Sequence, residues 1–228
     1  MKYFYSASAM GYGDGRWWHK FYKFPNHPRV TKTLTLGPKI GKPYAVIKIG
    51  NSVYNNVGLS NMGLKKWLTY YCYSNIDLSK VIVSLHSENV TDLVVMFAWL
   101  EDLYIAGIEV NLSCPNVKKR YPHFIFPPTR HNLYLKLNYL MNPYMYDLDK
   151  VKGIRLNAIP LRYCGGGSGK VAQKRNWEFI KKYGKELNVA GCSFQTIDDI
   201  HELEDMGCTE IGIGSTILIN PKLVECLK

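Results

Sequence analysis

The chain has 228 residues, with 29 Lys and Arg against 18 Asp and Glu for a formal net charge of +11, and is 46% apolar, 13% aromatic and 21% charged. This length and composition suit one domain with a sizeable core and exclude a disordered tail. The positive excess suits an anionic partner, but nucleic acid, acidic lipid, phosphate cofactors and small carboxylates all answer to it, so charge alone names no function.

In chain order, the N-terminal stretch lacks an apolar run of signal-peptide length, and no later stretch stays apolar long enough to span a bilayer. A cytoplasmic protein with no membrane partner is expected. Short apolar or β-branched runs at residues 3–8, 29–33, 81–85, 107–113, 133–138, 153–159, 187–192 and 210–215 predict eight strands. Most are near-continuously apolar, as in a parallel sheet covered on both faces. Residues 89–104 predict a helix with Leu93, Val94, Phe97 and Leu100 on one face. The segment 138–153 is too short for a full helix and is crowded by Asn142, Pro143 and aromatics. Thr196 followed by Asp199 has the pattern of a capping box, and the stripe Ile197, Ile200, Leu203 and Met206 then ends at Gly207. Eight strands with intervening helices predict an α/β fold, a (β/α)8 TIM barrel trimmed by several shortened connections. Residues 1–228 form a single domain in this reading. A doubly wound sheet is the competing arrangement.

A barrel places its chemistry where strands end and loops begin. Polar residues cluster there: Val30, Thr31, Lys32 and Thr33 after the second run, residues 111–116 after the fourth, Lys136 in the fifth and Asn157 in the sixth. A lysine inside a strand is costly to bury unless it meets an anion, and the alternative is that its ammonium reaches solvent. Gly165, Gly166, Gly167, Ser168 and Gly169 predict a loop whose amides surround a phosphate, although the run fails the P-loop pattern because Cys164 and Val171 stand at positions where that pattern needs Gly and Ser or Thr. Gly212, Ile213, Gly214 and Ser215 form a second phosphate candidate. The six cysteines, Cys72, Cys114, Cys164, Cys192, Cys208 and Cys226, show no CxxC spacing, so neither a metal site nor a disulfide framework is expected. Each is by default a small buried apolar residue.

The stretch Glu109, Val110, Asn111, Leu112, Ser113, Cys114, Pro115, Asn116 resembles the NxSCPN signature of the dihydroorotate dehydrogenases, specifically the soluble class 1 that uses Cys as base. Residues 6–9 resemble the family's NASG segment, residues 30–35 and 41–43 its TKT and GNP segments, and residues 55–63 its NSxGLxNxG loop. The likeness continues through Leu135, Lys136 and Leu137, the glycine run, and residues 196–215.

The resemblance implies an FMN-dependent oxidoreductase of pyrimidine biosynthesis that oxidises dihydroorotate to orotate. Cys114 would take a proton from C5 while hydride passes from C6 to the flavin. Lys32, Asn55, Asn111, Asn116 and Asn157 would bind the substrate, a ring edged with amides and carrying one carboxylate, to which asparagine offers both donor and acceptor. Ala7, Ser8, Lys32 and Lys136 would contact the flavin, and Gly166, Gly167, Gly214 and Ser215 its phosphate. Either fumarate, or NAD through an iron–sulfur partner subunit, would take the electrons, and a homodimer is expected from the family alone. The chain departs from the pattern in its shortness, in Ala158 where Ser or Thr is usual, and in Cys192 and Ser193 where a Gly pair is usual. Its lid residues Lys118, Lys119, Arg120, Tyr121, Pro122 and His123 are unusually basic.

Two other readings compete. The tRNA dihydrouridine synthases are also FMN barrels with a catalytic Cys, and the basic residues 1–50 would suit RNA. Against them, Ser113 stands where they carry Gly. A shortened barrel without turnover, binding nucleic acid or protein through its basic face, is the third reading, opposed by the joint retention of Cys114, Asn111, Asn116, Lys32 and Lys136.

Overall fold

The computed structural model describes residues 1–6, 11–14, 21–42, 45–114, 125–162 and 165–227. Its strands are β1 (Lys2–Tyr5), β2 (Arg29–Val30), β3 (Val46–Ile49), β4 (Ser52–Asn55), β5 (Val81–Leu85), β6 (Gly107–Asn111), β7 (Leu133–Leu137), β8 (Val151–Leu156), β9 (Ile159–Pro160), β10 (Gly166–Gly169) and β11 (Glu210–Ile213). Its helices are α1 (Leu64–Cys72), α2 (Val90–Leu100), α3 (Lys170–Leu187), α4 (Ile197–Asp205), α5 (Thr216–Ile219) and α6 (Pro221–Glu225).

A seven-stranded parallel sheet runs in the order β11-β1-β2-β5-β6-β7-β8. Residues 189–191 join its two ends. The Ala190 amide donates to the Ile154 carbonyl at 2.8 Å, and the Gly191 amide donates to the Glu210 carbonyl at 2.8 Å. The ring therefore has eight parallel strand positions, those predicted, and the fold is a (β/α)8 TIM-barrel-like α/β fold rather than a doubly wound sheet. Boundaries shift by a few residues: the sixth strand runs from Val151 to Leu156 and the second shrinks to Arg29–Val30.

Side chains alternate across each strand, which explains the continuous apolar runs. Tyr5, Val81, Val83, Leu133 and Leu135 face outward into a core shared with Trp67, Phe97, Leu100 and Ile180 of the helices. Phe4, Val30, Ile82, Tyr134 and Ala190 form a separate, small cluster inside the ring. The helices begin where the sequence says they should. Asn89 caps α2 by accepting from the Thr91 amide at 2.9 Å. Thr196 and Asp199 exchange two amide-to-side-chain bonds of 3.1 Å at the start of α4. Between β7 and β8 the described chain makes only the 3₁₀ turn Pro143–Met145, so the outer layer is pared there. No described helix is long and apolar enough to cross a membrane.

Two readings of the sequence are corrected. The glycine run is a strand, not a phosphate loop: Gly166 pairs with Asn55 and Gly167 with Tyr54 in a four-stranded antiparallel sheet of order β3-β4-β10-β9. The glycines serve close backbone approach, since Gly165 has φ +76° and a Cβ there would overlap the Asn55 carbonyl oxygen. The cysteines are also less uniform than expected, because Cys72 and Cys226 are exposed. Gly165→Ala should lower stability by at least about 1–2 kcal/mol, the cost of a Cβ in left-handed backbone, read as a shift in the denaturant midpoint. An unchanged midpoint would restore the loop reading.

Candidate active site

A cavity of about 580 Å³ opens at the carboxyl ends of the ring strands, with the antiparallel sheet supplying one wall through Val46, Val53 and Asn55. Of the residues singled out from the sequence, Lys32, Asn55, Asn111, Cys114, Lys136, Asn157, Gly214 and Ser215 all line it. Gly166 and Gly167 are not among the lining residues; from β10 only Ser168 is. Ala7, Ser8 and Asn116, with the basic segment 118–123, lie outside the described residues.

Strand register builds the inner wall. Lys136 lies opposite Asn111 on one side and Arg155 on the other, so these three side chains form a row on the inner face of β6, β7 and β8. Glu109, two residues before Asn111, therefore faces inward as well. The Lys136 ammonium lies 3.3 Å from Glu109 Oε1, and the Arg155 guanidinium lies 3.6 Å from Glu109 Oε2 and 3.9 Å from Glu210 Oε2. Arg155 is held flat between the rings of Phe4 and Tyr134, at 4.0 and 3.9 Å from their centroids. Burial alone would raise the pKa of Glu109, but Lys136, Arg155 and the Ser84 hydroxyl together hold it below the usual carboxylate value. Lys136 thus meets the anion that its burial requires, and that anion is a protein carboxylate.

A directional chain of hydrogen bonds leads from the cavity to this carboxylate. The Ser84 hydroxyl donates to Glu109 Oε1 at 2.8 Å, which leaves the Thr33 hydroxyl to donate to Ser84 at 3.0 Å. Thr33 in turn accepts from Asn111 Nδ2 at 3.0 Å, and Asn111 Oδ1 accepts from Asn157 Nδ2 at 3.2 Å. Because an ionised carboxylate can only accept, it fixes the direction of every bond in the chain and so the orientation of both amides. Behind Asn111, His86 Nδ1 donates to the Asn111 carbonyl at 2.7 Å. Burial lowers the His86 pKa and keeps the ring neutral.

Among the described residues two thiols line the cavity, Cys114 and Cys192. Burial pushes the Cys192 thiol up to about 11, which removes it as a base near neutral pH. Ser193 has φ +62°, a left-handed backbone that favours glycine, and its hydroxyl accepts from Asn176 Nδ2 at 3.3 Å. Of the two residues at the expected Gly pair, Ser193 thus has a glycine-like backbone and Cys192 does not. Sequence reasoning placed Thr33 at a strand end by the site but gave no such place to Glu109, Arg155 and Asn176, which also line the cavity. The test applied to Lys136, a charge inside an apolar strand, would have found Glu109 and Arg155.

The fold and site define a class: a (β/α)8 barrel whose strand ends gather a thiol, an amide row and a buried cation around one cavity. The family model described as dihydroorotate dehydrogenase matches residues 8–125, just over half of the chain. The chain belongs to the dihydroorotate dehydrogenase family. It is 34% identical over 94 residues to the dihydroorotate dehydrogenase B (NAD(+)) catalytic subunit of Citrifermentans bemidjiense, and 36% identical over 93 residues to that of Thermoanaerobacter pseudethanolicus. Each match covers 40% of this chain and only 30% of the relative's length. The crystal structure of a ligand-free type dihydroorotate dehydrogenase from Eimeria tenella superposes with TM-score 0.71 over 99% of this chain and 81% of that one, at 13% identity, a likeness of fold.

The lowered Glu109 pKa has a stability consequence. The unfolded chain binds this proton more tightly, so the ionised cluster stabilises the fold above the ordinary glutamate pKa of about 4.3 and loses that contribution as pH falls through and below it. The thermal midpoint of the wild type should fall more steeply between roughly pH 5 and pH 3 than that of Glu109→Gln/Arg155→Met. Parallel curves would contradict the assignment.

Proposed function

We propose that the protein oxidises dihydroorotate to orotate with FMN as its resident cofactor. The observation that carries this reading is the convergence of Cys114, the Asn111–Asn157 amide pair and Lys136 on one cavity at the strand ends of a barrel of this family. The cavity volume of about 580 Å³ falls within the usual range for small-molecule and cofactor sites. Its donor set also fits FMN: a fixed cation on the inner wall suits the electron-rich edge of the ring system, and Ser193, Gly214 and Ser215, which line the same cavity, are small residues suited to a phosphate. When bound, FMN supplies the acceptor for a hydride.

The chain's own residues then divide the remaining work. Cys114, which lines the cavity, takes the C5 proton. Asn111 and Asn157, oriented by the chain of bonds ending at Glu109, present amide donors and acceptors in a fixed sense, with Asn55 and Asn116 completing the set. Lys32 offers a positive charge to the substrate carboxylate, and Lys136 meets charge on the cofactor. Ala7 and Ser8 contact the flavin, and Gly214 and Ser215 hold its phosphate. Since the relatives in the comparison are named as NAD(+)-linked catalytic subunits, we assign NAD, through a partner subunit, as the acceptor ahead of fumarate.

Anaerobic addition of dihydroorotate to the FMN-loaded protein should bleach the flavin absorbance, and no bleaching would sink the proposal. Cys114→Ala should keep FMN bound while slowing flavin reduction by about 10²- to 10⁴-fold, the usual contribution of a positioned base. Reduction at the wild-type rate would mean that the base is another group.

A further inference from the structure

Arg155 is a buried cation that the proposed reaction does not use. It is 3% exposed, it lines the cavity, and its Nε and Nη1 atoms find no hydrogen-bond partner among the described residues. Its guanidinium is fixed by two aromatic rings and by Glu109, so it has little freedom to move. Glu109 divides its two oxygens, one toward Lys136 and one toward Arg155. Without Arg155 the Lys136–Glu109 pair would be neutral as a unit and present only a dipole to the cavity. With Arg155 the three groups sum to one positive charge in a water-poor wall, where a net charge acts further than a dipole. Glu210, the remaining acid near Arg155, lies farther off at 3.9 Å and is 19% exposed, so its pull on the guanidinium is weaker than that of Glu109.

The geometry points to Arg155 as a positioning residue that neutralises Glu109 and thereby leaves Lys136 with an uncompensated charge facing the ring bound in the cavity. This rests on the FMN reading above. The consequence is a selective hold on the reduced cofactor, which carries more negative charge than the oxidised form, and so a raised reduction potential.

The measurement is the midpoint potential of bound FMN in the reconstituted full chain, together with FMN affinity by fluorescence quenching. Arg155→Met should weaken the hold on reduced relative to oxidised FMN about tenfold, a fall on the order of 30 mV for a two-electron couple. Glu109→Gln keeps an acceptor for Ser84 but removes the anion, and should shift the potential upward by a similar factor. The double variant Glu109→Gln/Arg155→Met should return to the wild-type value. Opposite signs that cancel are the mark of charge, which a merely structural role would not produce. If Arg155→Met alone does not fold, Glu109→Gln and the double variant carry the test, since neither leaves an unpaired buried carboxylate. Shifts of the same sign, or one potential for all variants, overturn the inference while leaving the FMN reading intact. A wild-type chain that takes up no FMN overturns that reading, and this inference with it.

Discussion

The ionised carboxylate of Glu109 is the constraint on which the inner wall depends. Among the described residues it is the one acidic side chain in the buried set, and a carboxylate taken out of water is costly unless several partners meet it. Here Lys136, Arg155 and Ser84 do so, from β7, β8 and β5, the carboxylate itself sitting on β6. A one-residue slip of any of these strands would turn its partner to the outer face, so the cluster and the parallel register specify each other. The same carboxylate sets the sense of the hydrogen bonds through Ser84, Thr33 and Asn111 to Asn157. One buried charge thus determines both how four strands align and which way two cavity amides point.

This arrangement needs an interior that is apolar below and polar above. The alternation of side chains supplies it. Phe4, Ile82 and Tyr134 fill the ring beneath the charged row, and a Cβ on Gly212, which pairs with Phe4, would press on that ring at 2.8 Å. The rings of Phe4 and Tyr134 then do two things at once. They close the floor of the barrel against water, and their faces attract the Arg155 guanidinium between them. The antiparallel sheet of β3, β4, β9 and β10 supplies one wall of the same cavity through Val46, Val53, Asn55 and Ser168.

Much of this was legible in the sequence, for reasons that differ from residue to residue. The eight strand positions could be read because both faces of a barrel strand are apolar and the runs are therefore unbroken. The cap of α4 could be read because Thr196 and Asp199 carry the whole interaction locally. Lys136 stood out because a lone charge in such a run requires an explanation. The glycine run misled, since glycine marks both flexible turns and close backbone contacts, and only the position of Asn55, far away in sequence, tells which applies. The hairpin of β3 and β4 was passed over although Gly50 and Asn51 between alternating runs are a turn signal. Arg155 is equally a charge inside a strand and was open to the same reading, but the rings that hold it come from β1 and β7, a juxtaposition that no local pattern announces.

Likeness of sequence and likeness of fold do not extend equally along the chain. The family match ends at residue 125, whereas the structural superposition covers nearly all of the chain. In the second half, particular side chains hold the main chain around the cavity. At the turn after residues 189–191, Ser193 accepts the strain of a left-handed φ in place of glycine, and its bond with Asn176 gives that strain a partner. In β8, Arg155 occupies an inward position that an apolar residue could fill, and the ring faces of Phe4 and Tyr134 with the carboxylate of Glu109 make the guanidinium fit. Ser193 and Arg155 both line the cavity, and the ring closes beside them through Ala190 and Gly191. In this half of the barrel local partners thus hold the path of the main chain around the cavity, Asn176 at Ser193 and the closing bonds at Ala190 and Gly191, while Arg155 sets the charge of its wall.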